Sequence, residues 1–298
     1  MTKALGLRID VDTVAGAVHG LPALHRILRA RKIRASLFLP GGEDRTALAA
    51  LRILRQPGYL AKLLRTSAFR IYGPSAFAGL LGLGPRRVID AGPVLADMLA
   101  AGDEVAGHGL CHTAWHNGYH RMSPAEVHRQ VVSAVADIEQ TLPTRVAGFG
   151  APGWQAGFAC LHALDSLGLA WGSDVRGTLP FVPMMHGYRF RTPQIPTTLP
   201  TLDELPGGLP PVKSDVLAVC QEIDRQDWPV YTAHAELEGR FYPSVLDELL
   251  DFCSMRGIEV MPLSGVLQRY LAAGRPLEFH EVVQAPIPNR PGTVATQG

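Results

Sequence analysis

The chain has 298 residues, of which 47% are hydrophobic and 18% are charged, and its formal net charge is +1. This composition supplies enough apolar surface for a folded core and excludes a largely disordered chain. The near-neutral charge excludes the broad positive field of a nucleic-acid-binding protein, so nucleic acid is not an expected partner.

Short apolar runs alternate with longer amphipathic stretches along most of the chain. The predicted strands span residues 5–10, 35–39, 104–108, 145–150, 169–173, 229–234 and 258–262. The predicted helices span residues 22–31, 93–101, 124–141, 157–167, 213–226, 243–256 and 264–272. This repetition predicts an α/β fold with about seven strand–helix units, arranged as a distorted (β/α) barrel in a single domain over residues 1–275. In such folds the chemistry lies at the carboxyl ends of the strands.

The first predicted strand ends in two carboxylates, Asp10 and Asp12, with Val11 between them. A spacing of two residues puts both side chains on the same face of a strand. Because like charges this close repel each other, a bound cation is the simplest way to stabilise them. A loop carboxylate or a helix cap is the alternative for either residue.

Residues 45–89 interrupt the strand–helix rhythm. The segment contains eight arginine and lysine residues and no acidic residue, and large apolar residues lie between the basic ones. This pattern predicts a basic amphipathic insertion that lies in the interface of an anionic membrane. No run reaches the roughly 18 apolar residues that span a bilayer, so the predicted contact is peripheral. An ordinary amphipathic helix packed on the barrel is the alternative.

The third predicted strand leads into His108 and His112. We expect their four-residue spacing to place two imidazoles on one side of a helical turn. Two imidazoles and a carboxylate suit zinc, cobalt, nickel or iron(II), with an open position for water. Because His116 and His120 continue the same spacing, a cluster of surface histidines is the alternative.

The predicted strand over residues 229–234 ends in His234, which Glu236 and Glu238 follow. An imidazole gains and loses a proton near physiological pH, which suits protonation of a leaving amine. A structural histidine is the alternative. Three separate strand ends carry the groups that one hydrolytic metal site needs, and this joint occurrence favours the catalytic interpretation.

Three further features concern the rest of the chain. The four cysteines, at positions 111, 160, 220 and 253, lack metal-type spacing and are predicted to be core residues. No export signal opens the sequence, so a cytoplasmic location is expected. Residues 276–298, with four prolines, are predicted to form an irregular tail.

These motifs resemble those of the NodB-type polysaccharide deacetylases. Asp10-Val11-Asp12 is similar to the family's first motif, in which the first aspartate is the general base and the second binds metal. His108 and His112 are similar to its second motif, which supplies two metal ligands. The resemblance implies a catalytic acid at His234, an orienting carboxylate at Asp174, and one divalent metal. Zinc is expected, with cobalt, nickel, manganese and iron as alternatives.

Within that family, the chain is most similar to the ArnD-type deformylases, along nearly its full length. The similar stretches are residues 7–13, 173–177, 180–181, 194–196, 198–201, 230–232 and 234–239. The resemblance implies removal of formyl from 4-deoxy-4-formamido-L-arabinose linked to undecaprenyl phosphate, in lipid A modification and polymyxin resistance. The implied partners are a lipid-linked amino-sugar substrate and the anionic cytoplasmic face of the inner membrane.

One position departs from the NodB-type pattern. The third motif of the family has an arginine that pairs with the base, but Gly150-Ala151-Pro152 has glycine at that place. We hypothesise that Arg8 or Arg176 substitutes for it. The candidates for substrate contact are Trp154, Arg176, Tyr231 and Glu236, with core packing as the alternative for the tryptophan.

Three functions remain open from the sequence. They are the deformylase, a deacetylase of another N-acetylated amino sugar or polysaccharide, and a non-catalytic carbohydrate-binding relative that lost activity with the arginine. The basic insertion favours the first over the second. The presence of both carboxylates and all three histidines argues against the third.

Overall fold

The computed structural model of the protein describes residues 2–46 and 86–298. Nearly all of the predicted insertion at 45–89 lies outside the described residues, so its membrane contact stays a prediction. No helix within the described ranges is long and apolar enough to cross a membrane.

The described residues form eleven strands. In chain order they are β1 (Ala4–Asp10), β2 (Ser36–Leu39), β3 (Glu104–Gly107), β4 (Val146–Phe149), β5 (Trp171–Gly172), β6 (Val182–Met185), β7 (Tyr188–Arg189), β8 (Val230–His234), β9 (Glu259–Met261), β10 (Phe279–Ala285) and β11 (Val294–Gln297). Seven of them form a parallel sheet with the order β5-β4-β3-β2-β1-β8, in which β9 pairs with the first half of β1. Every residue of β1 is buried, as expected for a central strand covered on both faces.

Helices connect these strands. The α-helices in the described ranges are α1 (Leu21–Ala30), α2 (Pro93–Ala100), α3 (His112–Gly118), α4 (Pro124–Thr141), α5 (Phe158–Leu167), α6 (Lys213–Arg225), α7 (Pro243–Met255) and α8 (Leu263–Ala272). Helix α4 illustrates how the sequence sets a boundary, because the Ser123 hydroxyl accepts a hydrogen bond from the Glu126 amide and Pro124 occupies the first position. The seven predicted strands and seven predicted helices are all present, and the α/β fold class is confirmed.

The sheet forms a half-barrel whose two ends are joined by an irregular segment. In residues 193–199, the Ile195 amide donates to the Gly172 carbonyl at 2.7 Å, next to β5. Farther along the same segment, the Thr198 amide donates to the Val230 carbonyl of β8 at 3.2 Å. These bonds explain why the barrel is distorted, since a stretch without regular strand pairing lies between β5 and β8.

A second sheet has the order β11-β10-β6-β7. Strand β10 pairs in parallel with β6 and antiparallel with β11. The prediction of an irregular tail over residues 276–298 is therefore wrong for both of these strands. Val282 and Val294 are each 2% exposed, so this hairpin adds to the core.

Candidate metal centre and catalytic residues

The carboxyl end of β1 carries a buried ion pair. Arg8 donates from Nε to Asp10 Oδ1 at 2.6 Å and from Nη2 to Asp10 Oδ2 at 2.8 Å. Two-residue spacing on a strand puts the two side chains on one face, which permits this bidentate geometry. The Arg8 guanidinium also donates to the Ser173 carbonyl at 2.5 Å and lies 4.0 Å from the centroid of the Phe38 ring.

This arrangement supports one of the two arginines suggested as the partner of Asp10. Arg8 is fully buried and holds the carboxylate, whereas Arg176 donates to Glu204 at 2.7 Å. The hypothesis is therefore wrong for Arg176. Burial raises the pKa of Asp10, but the charge and the hydrogen bonds of Arg8 act against it, and the net shift is downward.

Asp12, His108 and His112 come together in one cluster that could hold a metal ion. One potential ligand atom from each residue lies within 4.8 Å of the others. Asp12 Oδ1 is 3.4 Å from His108 Nε2, and Asp12 Oδ2 is 3.5 Å from His112 Nε2. Burial raises the pKa of Asp12, while His112 and His108 lower it by more. Burial also lowers the pKa of His112 to about 3, which leaves a neutral imidazole able to bind metal.

The hydrogen bonds around His108 fit a metal ligand. Its Nδ1 is 2.6 Å from the Gly150 carbonyl, which can only accept, so the proton lies on Nδ1 and Nε2 has a free lone pair. Among the described residues, His108 Nε2 and Asp12 Oδ1 are both buried without a hydrogen-bond partner. Two unpartnered acceptors facing each other are unfavourable unless a cation lies between them, so the residues fit a divalent metal.

The four-residue spacing predicted that both histidines lie on one helical turn, and this prediction is wrong. His108 follows strand β3, and His112 is the first residue of α3. Gly109, between them, has a φ of +72°, a backbone conformation that glycine adopts without strain. The strand-to-helix turn brings the rings to a centroid distance of 5.2 Å. The pair is therefore assembled by the turn.

His234 is the last residue of β8 and lies opposite Asp10 in the pairing of β8 with β1. Burial lowers the pKa of His234, but Asp12, Asp203 and Asp10 raise it by more, to about 9. Its amide donates to Glu238 Oε2 at 2.8 Å, and its Nδ1 has no hydrogen-bond partner in the described part of the chain. A charged imidazole with an available N–H suits a proton donor.

Asp174 does not orient His234, which corrects an expectation from the sequence. Its carboxylate accepts from the Ala151 amide at 2.8 Å and from Gln194 Nε2 at 3.0 Å, and the Cys160 thiol is 3.8 Å away. Burial raises the pKa of Asp174 to about 6. Asp174 thus supports the turn after β4, and Asp203, which the sequence gave no reason to single out, is among the charges that act on His234.

The remaining substrate-contact candidates occupy different environments. Tyr231 is 1% exposed and donates its hydroxyl to Glu238 at 2.6 Å, which does not fit a substrate contact. Glu236 Oε1 accepts from the Thr13 amide and hydroxyl at 2.9 and 2.7 Å. Burial and the charge of Asp12 raise the pKa of Glu236 to about 8. Trp154 is 2% exposed, which agrees with core packing, the alternative to a substrate contact for this residue.

Two curated relatives resemble this chain, although no family model matches it. A protein of Shewanella sediminis, named a probable 4-deoxy-4-formamido-L-arabinose-phosphoundecaprenol deformylase ArnD, is 31% identical over 272 residues, which cover 88% of this chain and 85% of the relative. A protein with the same name from Wigglesworthia glossinidia brevipalpis is 26% identical over 288 residues, covering 95% and 98%.

The fold also resembles a solved structure. A Mycobacterium smegmatis protein assigned to the polysaccharide deacetylases matches with a TM-score of 0.60 over 93% of each chain. Its sequence identity is 16%, so this likeness concerns the fold alone.

Proposed function

Because this chain belongs to the ArnD-type deformylases of the NodB-type polysaccharide deacetylase family, we propose that it hydrolyses the formamide of 4-deoxy-4-formamido-L-arabinose linked to undecaprenyl phosphate. Membership of the family makes it a hydrolase of amide bonds. The proposal includes a role in lipid A modification and polymyxin resistance, and a location on the cytoplasmic face of the inner membrane. The observation that carries it is the cluster of Asp12, His108 and His112 beside Asp10 and His234.

In this proposal Asp12, His108 and His112 hold one divalent cation. Zinc suits one carboxylate and two imidazoles, and cobalt, nickel, manganese or iron would fit the same donors. When bound, the cation lowers the pKa of water toward about 7 and polarises the amide carbonyl.

The residues of the chain then carry the protons. Asp10 accepts a proton from water as the water oxygen bonds to the formyl carbon, and the Arg8 contacts at 2.6 and 2.8 Å hold its carboxylate in place. His234 donates a proton to the sugar nitrogen as the carbon–nitrogen bond breaks. The products are formate and the free amine. Glu238 fixes the backbone of His234 through the bond at 2.8 Å.

The test uses metal-replete protein with matched formamido- and acetamido-arabinose lipids, and identifies the acid released. Formate is the expected product. Acetate in preference to formate would favour the alternative, a deacetylase of another amino sugar or polysaccharide. Release of neither acid would contradict both and favour a non-catalytic relative.

Variants separate metal binding from proton transfer. We expect Asp12→Ala to lose both metal and turnover, and His234→Ala to lose turnover by about 100-fold or more with most of its metal retained. His128→Ala, on helix α4 beside Ser166, is the control and should change neither. Full metal occupancy in an inactive Asp12 variant would contradict its role as a ligand.

A further inference from the structure

Two arginines lie against Trp154, next to the candidate metal site and outside it. The guanidinium carbons of Arg176 and Arg290 are 4.7 and 5.0 Å from the centroid of the Trp154 ring. Arg8, the partner of Asp10, is 5.5 Å from the same ring. Trp154 ends the short turn that follows β4, so these cations lie at the carboxyl end of the sheet with the catalytic candidates.

The two arginines differ in how their donors are used. Arg176 donates to the Thr197 carbonyl, to both oxygens of Glu204 and to the Leu199 carbonyl, and these bonds fix it in place. Arg290 donates to Glu204 at 3.2 Å and to the Gly153 carbonyl at 3.3 Å. A guanidinium has five N–H donors. Arg290 therefore retains donors without a partner among the described residues, although its side chain is only 15% exposed.

Arg290 is presented by a stiffened loop. Residues 286–293 connect β10 to β11 and contain Pro286, Pro288 and Pro291, each of which fixes a backbone φ angle. Asn289, with a φ of +60°, donates from Nδ2 to the Glu204 carbonyl at 2.8 Å. The loop is thus docked at Asn289, next to Arg290, which reduces the entropy lost when the Arg290 side chain binds a ligand.

A row of side chains connects Arg290 to the candidate metal ligands. A Cβ atom placed on Gly153 would lie 2.6 Å from His116 Cδ2 and 2.8 Å from Arg290 Nη2, so both side chains pack against Gly153. The His116 ring stacks on that of His112 at a centroid distance of 5.9 Å.

The local charges favour an anion at Arg290. Two guanidinium groups face the single carboxylate of Glu204, which is 4% exposed. Asp203 is the other nearby carboxylate; it is exposed and accepts from the Thr201 hydroxyl at 2.7 Å. A planar guanidinium recognises phosphate oxygens through paired hydrogen bonds.

We propose that Arg290, backed by Arg176 and Trp154, binds the phosphate of a sugar phosphate whose amide lies at the metal site. This inference rests on the proposed function, because the substrate carries its phosphate on C1 and its formamide on C4, at opposite sides of the pyranose ring. The row from His112 through His116 to Arg290 gives the two groups separate places. Arg290 then sets the preference for phosphate-bearing over neutral sugars.

The test compares three substrates that share one formamido-arabinose: the methyl glycoside, the free 1-phosphate and a short-chain prenyl phosphodiester. We expect Arg290→Gln to lower kcat/KM about 10- to 100-fold for both phosphate-bearing substrates, mainly through KM. The loss for the methyl glycoside should be at least about tenfold smaller than this. For these phosphate-bearing substrates, kcat/KM of Arg290→Lys should lie between the values of wild type and Arg290→Gln, because lysine keeps the charge without the paired donors. The exposed Arg191→Gln, with 82% of its side chain exposed, is the control.

Equal losses on all three substrates would mean that Arg290 only docks the loop, and would overturn the inference. An unchanged kcat/KM for the phosphates would do the same. If Arg290→Gln does not fold, Arg290→Lys takes its place, and its loss should again be larger for the two phosphate-bearing substrates than for the methyl glycoside. The two phosphate-bearing arms show whether the prenyl chain adds to phosphate binding.

Failure of the subsite and failure of the proposed function give different results. Wild-type protein that releases formate equally well from neutral and phosphate-bearing sugars retains the deformylase and refutes the subsite. If no substrate yields formate, calorimetry with the 1-phosphate and with inorganic phosphate still decides. Binding that Arg290→Gln weakens by about tenfold or more supports the subsite, and equal or absent binding overturns it.

Discussion

Arg8 and Asp10 form a buried ion pair within a single strand, with exposed fractions of 0% and 3%. Removing one partner of such a pair leaves the other charge buried without compensation, which typically costs about 3–5 kcal/mol. Removing both charges has a smaller effect, because no uncompensated charge remains. The pair therefore contributes to the stability of the fold as well as to the position of the proposed base.

We predict that Arg8→Met lowers the free energy of unfolding by about 3–5 kcal/mol, and that adding Asp10→Asn recovers part of this loss. Urea unfolding of the single and double variants measures the coupling. Arg87→Met breaks the Arg87–Asp90 pair, whose side chains are about one-third exposed, and should cost less than about 1 kcal/mol. A double variant no more stable than Arg8→Met would argue against a coupled pair.

Asp174 predicts a pH dependence of stability. Its pKa is raised by burial from 3.8 to about 6, so between these values the folded state keeps a proton that the unfolded state has lost. The stability that this carboxyl contributes is present below pH 3.8 and is lost as the pH rises through about 6. The Asp174→Asn variant has no carboxyl at this position, so it does not lose this stability as the pH rises.

The stability of Asp174→Asn relative to wild type should therefore increase by up to about 3 kcal/mol between pH 4 and pH 7. Urea unfolding at both pH values tests this. Asp97→Asn, on the exposed face of α2, is the control. The difference between its free energy of unfolding and that of wild type should be the same at both pH values. If the stability of Asp174→Asn relative to wild type is also the same at both pH values, the pKa of Asp174 in the folded wild-type protein is not raised.

The residues of the candidate metal site were predictable from the sequence, because each follows a strand that an apolar run marks. Asp12, His108 and His112 come together as expected. Asp174 was misassigned because similarity to a family motif does not specify which groups a carboxylate contacts, and its partners here are Ala151 and Gln194. Arg290 was missed because the sequence gave no sign that its loop returns to Gly153 and Glu204.

Among the elements, those with a clear hydrophobic period were predicted well. Helix α4 has the predicted bounds, and β1 differs from its prediction by one residue. Helix α3, with seven residues and only Trp115 buried, has no apolar face to detect. Strand β6 contains Pro183 and β7 has only two residues. These strands depend on pairing with distant segments, which local patterns do not reveal.

The turn between β3 and α3 determines where the two histidines lie. At the φ of +72° of Gly109, an L side chain is strained. A Cβ there would also lie 3.3 Å from the Trp115 ring and 3.5 Å from Pro152. A change at this glycine should therefore move His108 relative to His112.

We predict that Gly109→Ala costs about 1–2 kcal/mol of stability and lowers metal affinity at least about tenfold. Gly168→Ala is a matched control, because Gly168 has a φ of +64° at the end of α5 with nothing within 4 Å of its Cβ position. It should lose similar stability and keep its metal. Metal titration of both variants makes the comparison, and equal affinities would show that the turn does not set the ligand geometry.

At the scale of the whole molecule, the C-terminal hairpin connects the second sheet to the region of the site. The Arg176 amide donates to the Ala295 carbonyl at 2.9 Å, and the Gln297 amide donates to the Arg176 carbonyl at 2.8 Å. The Gln284 side chain donates to the Ala156 carbonyl at 2.7 Å. The hairpin therefore holds segments on both sides of the candidate subsite.

An irregular tail and a folded hairpin predict different results for Val282, and its neighbour Val283 is the control. Val282 is 2% exposed and Val283 is 40% exposed, as the alternation of a strand requires. Val282→Ala should cost about 2 kcal/mol, whereas Val283→Ala should change stability by less than about 0.5 kcal/mol. Removing residues 276–298 should lower the free energy of unfolding by more than Val282→Ala does. It should also reduce turnover, because Arg290 and the backbone hydrogen bonds of Arg176 to Ala295 and Gln297 are lost together. Thermal unfolding of the three variants decides, since a disordered tail would leave all of them as stable as wild type.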